Sequence, residues 1–81
     1  MTSKSIFTQD HKRLQRLLRQ VRLGAGLRQE DLAKVLGRHQ SFVSKYECGD
    51  RCLDLVELRK ICRAVNVPLV EFVRRYEESL R

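Results

Sequence analysis

The chain has 81 residues, and its 17 Lys and Arg against 10 Asp and Glu give a formal net charge of +7 at pH 7. This length suffices for a single domain, residues 1–81, with one core, and no apolar run approaches the roughly 20 residues of a membrane span. The first residues lack the apolar segment of a secretory signal, so we expect a cytoplasmic protein with reduced thiols. The positive charge favours a polyanionic partner, nucleic acid first, although composition alone leaves a basic solvated surface equally open.

The positive charge is concentrated at the start of the chain, because residues 1–28 carry seven basic side chains and one acidic side chain. We expect residues 1–7 to form a short, partly disordered arm. Thr8 suits the N-cap of a first helix that runs to about Leu23. The apolar stripe of this helix consists of Leu14, Leu17, Leu18 and Val21.

Residues 27–51 predict two short helices joined by a tight turn. Their inward-facing residues recur at helical spacing and are Leu32, Ala33, Leu36, Val43 and Tyr46. Gly37 follows the first stripe, where a left-handed residue would end the helix. The second of these two helices, which is the third helix of the chain, is expected from about Gln40 to Cys48. Two helices with such a turn form a helix-turn-helix, whose second helix can enter the major groove of DNA.

The remaining residues predict two further helices, and no segment alternates apolar and polar residues as a strand would. Asp54 and Glu57 suit a reciprocal capping box at the start of a fourth helix, which ends near Asn66. Pro68 starts a fifth helix, where its missing N–H is harmless. The apolar side of residues 68–81 extends beyond what four short helices can cover, so a dimer contact is expected there. Its residues are Val73, Tyr76 and Leu80.

The segment LRQEDLAKVLGRHQSFVSKYECGDR resembles the helix-turn-helix of the Cro and lambda-repressor type, the XRE family of transcriptional regulators. The resemblance extends from about Leu14 to Phe72. Residues that match the family in fixed register are Leu27, Gln29, Leu32, Ala33, Leu36, Gly37, Gln40, Ser41, Val43, Ser44, Lys45, Glu47, Gly49 and Arg51. The resemblance implies an all-α, five-helix lambda-repressor-like domain that regulates transcription, as a repressor or controller, by binding a palindromic operator in double-stranded DNA as a homodimer.

Four polar residues lie on one face of the second helix of this motif, opposite its apolar residues: Gln40, Ser41, Ser44 and Lys45. Such side chains offer the donors and acceptors that base edges in the major groove require, with Gln suited to adenine and Lys to guanine. The resemblance places the family's base-reading positions on the same four residues.

Contacts with the DNA backbone are expected at both ends of the motif. Gln29 opens its first helix, where free amides and the helix dipole favour a phosphate, and the resemblance assigns a backbone contact to this Gln. Arg28 and Arg51 are expected to neutralise phosphates. Arg38 and His39 stand at the entrance of the second helix, within reach of a phosphate or a base.

The resemblance also implies a partly buried ion pair between Arg22 and Glu47, which would orient the second helix of the motif. Three positions depart from the family pattern. Arg28 stands where a Thr or Ser cap is usual, Arg38 where an apolar residue is usual, and His39 where Ser or Pro is frequent. We expect these departures to preserve the fold and to affect which bases are read.

Other functions have weaker support in the sequence. The spacing of His39, Cys48, Cys52 and Cys62 is not that of a metal site, so no metal or cofactor is expected, while a redox switch at Cys48 and Cys52 stays open. No nucleophile with a base, paired carboxylates or phosphate-binding glycine loop is visible, so an enzyme is not expected. The alternative to an operator-binding regulator is a protein-interaction module of the same fold, such as an antitoxin that also docks a partner protein.

Overall fold

The structure, a computed structural model, describes residues 8–81, and this part of the chain forms five α-helices and no strand. The helices are α1 (Gln9–Gly24), α2 (Gln29–Leu36), α3 (Gln40–Cys48), α4 (Leu55–Ala64) and α5 (Leu69–Ser79). The prediction of an all-α fold is therefore confirmed. The expected N-terminal arm, residues 1–7, lies outside the described residues. None of the five helices is long and apolar enough to cross a membrane.

The helices begin where local sequence signals place them. Thr8 caps α1, because its Oγ1 accepts a hydrogen bond from the backbone N–H of His11 at 3.3 Å. At the start of α4, Asp54 Oδ1 accepts from the Glu57 amide at 2.7 Å, and Glu57 Oε1 accepts from the Asp54 amide at 3.1 Å. This is the predicted capping box. Pro68 lies one position earlier than predicted, since it caps α5 and Leu69 is the first helical residue.

Two glycines end the helices of the motif in left-handed backbone conformations. Gly37 has φ +69°, and the amide that follows it, that of Arg38, donates to the Ala33 carbonyl at 2.9 Å. Gly49 ends α3 with φ +93°, and a Cβ at this position would lie 2.7 Å from Nε2 of Gln15 in α1. Gly49 therefore provides both the turn and a close approach between α3 and α1.

One core lies between the helices, where α3 packs against α1 and α2, α4 against α2 and α5, and α5 against α1. Its buried apolar residues are Leu17, Leu18, Val21, Leu32, Ala33, Phe42, Val43, Tyr46, Ile61, Cys62, Val65 and Phe72. Phe42 was outside the predicted stripes. Its ring meets the Tyr46 ring edge to face, with centroids 5.4 Å apart, and only 8% of the residue is exposed.

The C-terminal half of α5 packs against the first turns of α1. Tyr76 is half-buried, and its hydroxyl donates to the carbonyl of Asp10 at 2.9 Å. The Arg13 guanidinium donates to the Ser79 carbonyl. Tyr76 therefore has partners within its own chain, whereas Val73 and Leu80 are 43% and 37% exposed. A dimer contact at these residues stays a prediction.

Candidate nucleic-acid interface

Helix α3 presents a polar face opposite its buried side. The buried side consists of Phe42, Val43 and Tyr46. Gln40 and Lys45 are exposed, and Ser41 and Ser44 are half-buried. At about 100° per residue the four predicted base readers fall within an arc of roughly 140°. The exposed Cys48, at the end of α3, falls within the same arc. The residues that the sequence placed on one face are thus brought together on the surface.

A chain of hydrogen bonds, the Arg22–Gln40 network, joins this face to the interior. Gln40 Nε2 donates to Gln29 Oε1 at 2.8 Å, and Gln29 Nε2 donates to Glu47 Oε1 at 3.1 Å. Arg22 then donates to both carboxylate oxygens of Glu47, from Nε at 2.7 Å and from Nη2 at 3.0 Å. The exposed end of the network is the first side chain of α3, and its buried end lies in α1.

The Arg22–Glu47 pair is almost completely buried, with 7% and 5% of the two side chains exposed. Arg22 also donates from Nη1 to the Leu27 carbonyl at 2.9 Å, so the same guanidinium holds the segment before α2. The hydrogen bond with Glu47 raises the pKa of Arg22 above its ordinary value. A bidentate, charge-assisted pair of this kind fixes the relative positions of α1, α2 and α3.

Helix α2 begins without a capping side chain at Arg28, because a guanidinium has no acceptor. Instead, Asp31 Oδ2 accepts from the backbone N–H of Arg28 at 2.9 Å and from its Nε at 3.2 Å. The hydrogen bond from the Arg28 side chain lowers the pKa of Asp31 most, and the one from the Arg28 amide lowers it further. The Arg28 side chain, 74% exposed, also pairs with Glu30 at 3.1 Å. Two acids therefore offset part of its charge near the start of α2.

His39 is the N-cap of α3. Its Nδ1 accepts from the Ser41 amide at 3.1 Å and lies 3.0 Å from Ser41 Oγ. Because Nδ1 is the acceptor, the proton of the neutral imidazole belongs on Nε2. His39 is exposed at the entrance of α3, so this Nε2–H is the donor that it can offer to DNA.

Two arginines lie against one aromatic ring, that of Phe42, at one edge of the polar face of α3. The Cζ atoms of Arg38 and Arg51 are 3.9 Å and 4.9 Å from the centroid of the Phe42 ring. Both guanidiniums approach Glu57 Oε2: Arg51 through Nη2, and Arg38 through Nη1 at 3.8 Å. We call Arg38, Phe42, Arg51 and Glu57 the arginine cluster. This cluster explains why the fold accepts Arg38 at a position that is usually apolar in similar proteins. The Arg38 guanidinium covers the Phe42 ring.

A surface groove of about 430 Å³ runs along the opposite edge of α3. It is lined by Arg19, Arg22, Gln29, Ser44, Glu47 and Cys48. Arg19, an exposed residue of α1, was not among the residues predicted to contact DNA. The signal that could have selected it is its position three residues before Arg22, since residues at this spacing share one side of a helix.

The His and Cys residues considered for metal binding do not form a metal site within residues 8–81. Within residues 8–81, no three His, Cys, Asp or Glu side chains are grouped as metal ligands would be. Cys48 and Cys52 are exposed free thiols, and Cys62 lies in the core. Burial raises the pKa of the Cys62 thiol to about 11.

Comparisons with known proteins agree with this geometry. The family model described as helix-turn-helix matches residues 18–72. A solved structure described as an XRE-family like protein from Pseudomonas syringae pv. tomato str. DC3000 has a TM-score of 0.84 and 35% sequence identity, over 99% of this chain and 98% of that chain. No curated protein gives a significant match. This is the fold of a DNA-binding regulator, which is not typically an enzyme. The chain belongs to the XRE family of helix-turn-helix DNA-binding regulators.

Proposed function

We propose that the protein is a sequence-specific transcriptional regulator that binds a palindromic operator in double-stranded DNA as a dimer. The observation that carries this proposal is the Arg22–Gln40 network, which holds the first side chain of an exposed polar helix face in one position. A side chain that is already ordered loses less conformational freedom when it binds. Gln40 is therefore prepared for recognition before DNA arrives.

The network leaves Gln40 able to recognise a base. One N–H of its amide donates to Gln29, so the second N–H and Oε1 remain available. One donor and one acceptor are what the N7 and N6 atoms of adenine require in the major groove. Lys45 is exposed and suits guanine, and the hydroxyls of Ser41 and Ser44 suit either base type.

Phosphate contacts would then lie on both edges of α3. Gln29 and Arg19 lie on the edge that includes Glu47, Arg28 directly precedes Gln29 in the chain, and Arg38 and Arg51 lie on the edge that includes Phe42. His39 adds a donor at the entrance of the helix. Two such edges suit the two strands that border a major groove, and contacts of this kind fix the register of a protein on DNA.

Val73 and Leu80, which are among the exposed apolar residues of the α5 segment, support self-association. A palindromic operator requires two identical readers related by a two-fold axis, with half-sites about one helical turn apart. A dimer through α5 would supply this pair of α3 helices. The regulator would act by occupying promoter DNA.

Selection from randomised duplex DNA, repeated at two salt concentrations, tests the proposal. We expect enrichment of an inverted repeat whose half-site centres are about 10 base pairs apart. Binding should weaken as salt rises, while the repeat stays enriched. If no sequence is enriched and binding vanishes at the higher salt, the protein has only a basic surface. The alternative, a protein-interaction module that docks a partner protein, would then replace the operator reader.

A further inference from the structure

We propose that Glu57 limits the charge-driven affinity of this protein for DNA, because it holds one positive charge of the arginine cluster in an internal ion pair. This inference rests on the proposed function, since it concerns how the cluster meets phosphates. It assigns a role to a residue outside both the polar face of α3 and the predicted phosphate contacts.

The carboxylate of Glu57 is fixed by the backbone. Its Oε1 accepts from the Asp54 amide at 3.1 Å, while its own amide donates to Asp54 at 2.7 Å. Its Oε2 is thereby directed toward Arg51 and Arg38. Only 18% of the Glu57 side chain is exposed, against 39% and 43% for the two arginines. The carboxylate is thus less accessible to solvent than the two guanidiniums that it pairs with.

The charges of the cluster predict a specific electrostatic effect. Two guanidiniums and one carboxylate leave a net charge of one positive unit. A protein that neutralises Z phosphates shows a slope of about −0.9Z in a plot of log affinity against log salt. The cluster should therefore act as about one neutralised phosphate, although it carries two arginines. Without the carboxylate it would act as about two.

The other cations near α3 are not restrained in this way. Lys45 and Arg19 are exposed, and neither side chain has an ion pair within residues 8–81. Arg28 does pair with acids, but 74% of its side chain is exposed. Glu57 is distinguished by being mostly buried, anchored to a helix cap and shared between two arginines. It can lower the affinity for any duplex without touching the base-reading face.

The test is Glu57→Gln, in which the amide oxygen can still accept from the Asp54 amide. The matched control is Glu71→Gln. Glu71 is also an acid that pairs with two arginines, Arg74 and Arg75, but it lies on α5. Both variants gain the same net charge. Affinity for a random-sequence duplex is measured from about 50 to 300 mM salt, together with helix content and thermal unfolding.

For Glu57→Gln we expect binding about five- to tenfold tighter than wild type near 0.1 M salt, with a slope steeper by about 0.9. The order of preference among operator sequences should not change. Glu71→Gln should bind like wild type. A Glu57→Gln slope equal to that of wild type, or an equal change in both variants, overturns the inference.

Two further comparisons keep the test decisive. If Glu57→Gln does not fold, Glu57→Ala removes the same charge with a strong helix former, and Glu71→Ala is its control. The same slopes are expected and the same results overturn the inference. If wild type shows no salt-dependent binding to DNA, the proposed function itself fails. If wild type binds and the Glu57 variants match it, only the role of Glu57 fails.

Discussion

Gln40 Nε2 donates to Gln29 Oε1 at 2.8 Å, so the first side chain of α3 is joined to the first side chain of α2. Gln29 is in turn held by Glu47. We therefore expect Gln29→Ala to relax the preference at the base that Gln40 is proposed to read, in addition to removing the proposed phosphate contact of Gln29. A double-mutant cycle of Gln29→Ala and Gln40→Ala on the selected operator should give a coupling energy of about 0.5–3 kcal/mol.

Gln20→Ala is the matched control for this cycle, because it removes an exposed amide side chain from α1. Its effect should add to that of Gln40→Ala without coupling. Additive effects of Gln29→Ala and Gln40→Ala would mean that the hydrogen bond between the two amides does not position Gln40 on DNA.

The base-reading assignment predicts losses confined to single positions of the operator. Gln40→Ala and Lys45→Ala should each cost about 1–3 kcal/mol of binding free energy and relax the choice at one base pair per half-site. Arg63→Ala controls for loss of one charge, because Arg63 is an exposed residue of α4 without an ion pair in the described part of the chain. Repeating the selection with each variant measures the preference. An unchanged preference in both α3 variants would remove α3 as the recognition helix.

The buried ion pair predicts a large effect on stability. Arg22→Ala leaves the Glu47 carboxylate buried without its main partner, so the free energy of unfolding should fall by about 3–5 kcal/mol. Replacing both partners, as in Arg22→Met with Glu47→Leu, should recover most of that loss. Urea unfolding of the three proteins measures both effects. A loss below about 1 kcal/mol in Arg22→Ala would show that the pair contributes little to the fold.

The double variant also separates stability from recognition. Glu47→Leu removes the acceptor of Gln29, so the Arg22–Gln40 network is broken even where the fold is restored. We expect the double variant to fold and to bind its operator more weakly than wild type does.

The helices and their ends could be predicted because their signals are local. The Thr8 cap, the Asp54–Glu57 capping box and the left-handed Gly37 each depend on residues within one helical turn. The apolar stripes depend on spacing alone. The start of α5 was predicted at Pro68 and lies one residue later, at Leu69. A proline fits both the N-cap and the first helical position, so the sequence alone did not separate the two.

Most contacts of individual side chains depend on how distant segments meet. Apart from the Arg22–Glu47 pair, which the family resemblance implied, the sequence carried no signal for them. Arg51 was expected at a phosphate and Arg38 within reach of a phosphate or a base, yet the fold brings both against Phe42 and Glu57. Glu57 looked only like a helix cap. Tyr76 looked like an interface residue because its partner, the Asp10 carbonyl, is 66 residues away.

The start of α2 predicts a pH effect. Hydrogen bonds from Arg28 lower the pKa of Asp31 below its ordinary value of 3.8. The ionised carboxylate therefore contributes stability above about pH 3.8, and this contribution is lost as the pH falls through the lower, folded-state value. Asp31→Asn should lower the unfolding temperature at pH 7, and its difference from wild type should shrink between pH 4 and pH 2.

Asp50→Asn is the control for this titration, because Asp50 is an exposed acid whose side chain makes no ion pair within residues 8–81. Unfolding temperatures are compared across the pH series at constant salt. A gap between Asp31→Asn and wild type that stays constant down to pH 2 would show that Asp31 stabilises the helix start without its charge.

The exposed apolar residues of α5 predict the surface of self-association. Val73 is 43% exposed, and an aspartate at this position would place a charge in an apolar interface. We expect Val73→Asp to shift the protein from dimer to monomer in sedimentation velocity and to weaken operator binding. Binding to a single half-site should be little changed, since the polar face of α3 is on another helix.

Val35→Asp is the matched control, because Val35 lies on α2 and is 63% exposed. This variant should remain dimeric, although it carries the same substitution. If Val35→Asp dissociates the dimer and Val73→Asp does not, the interface includes α2 instead of α5. A wild-type protein that is monomeric both free and on its operator would exclude a dimer contact at α5 altogether, because paired half-sites would then be read by independent copies.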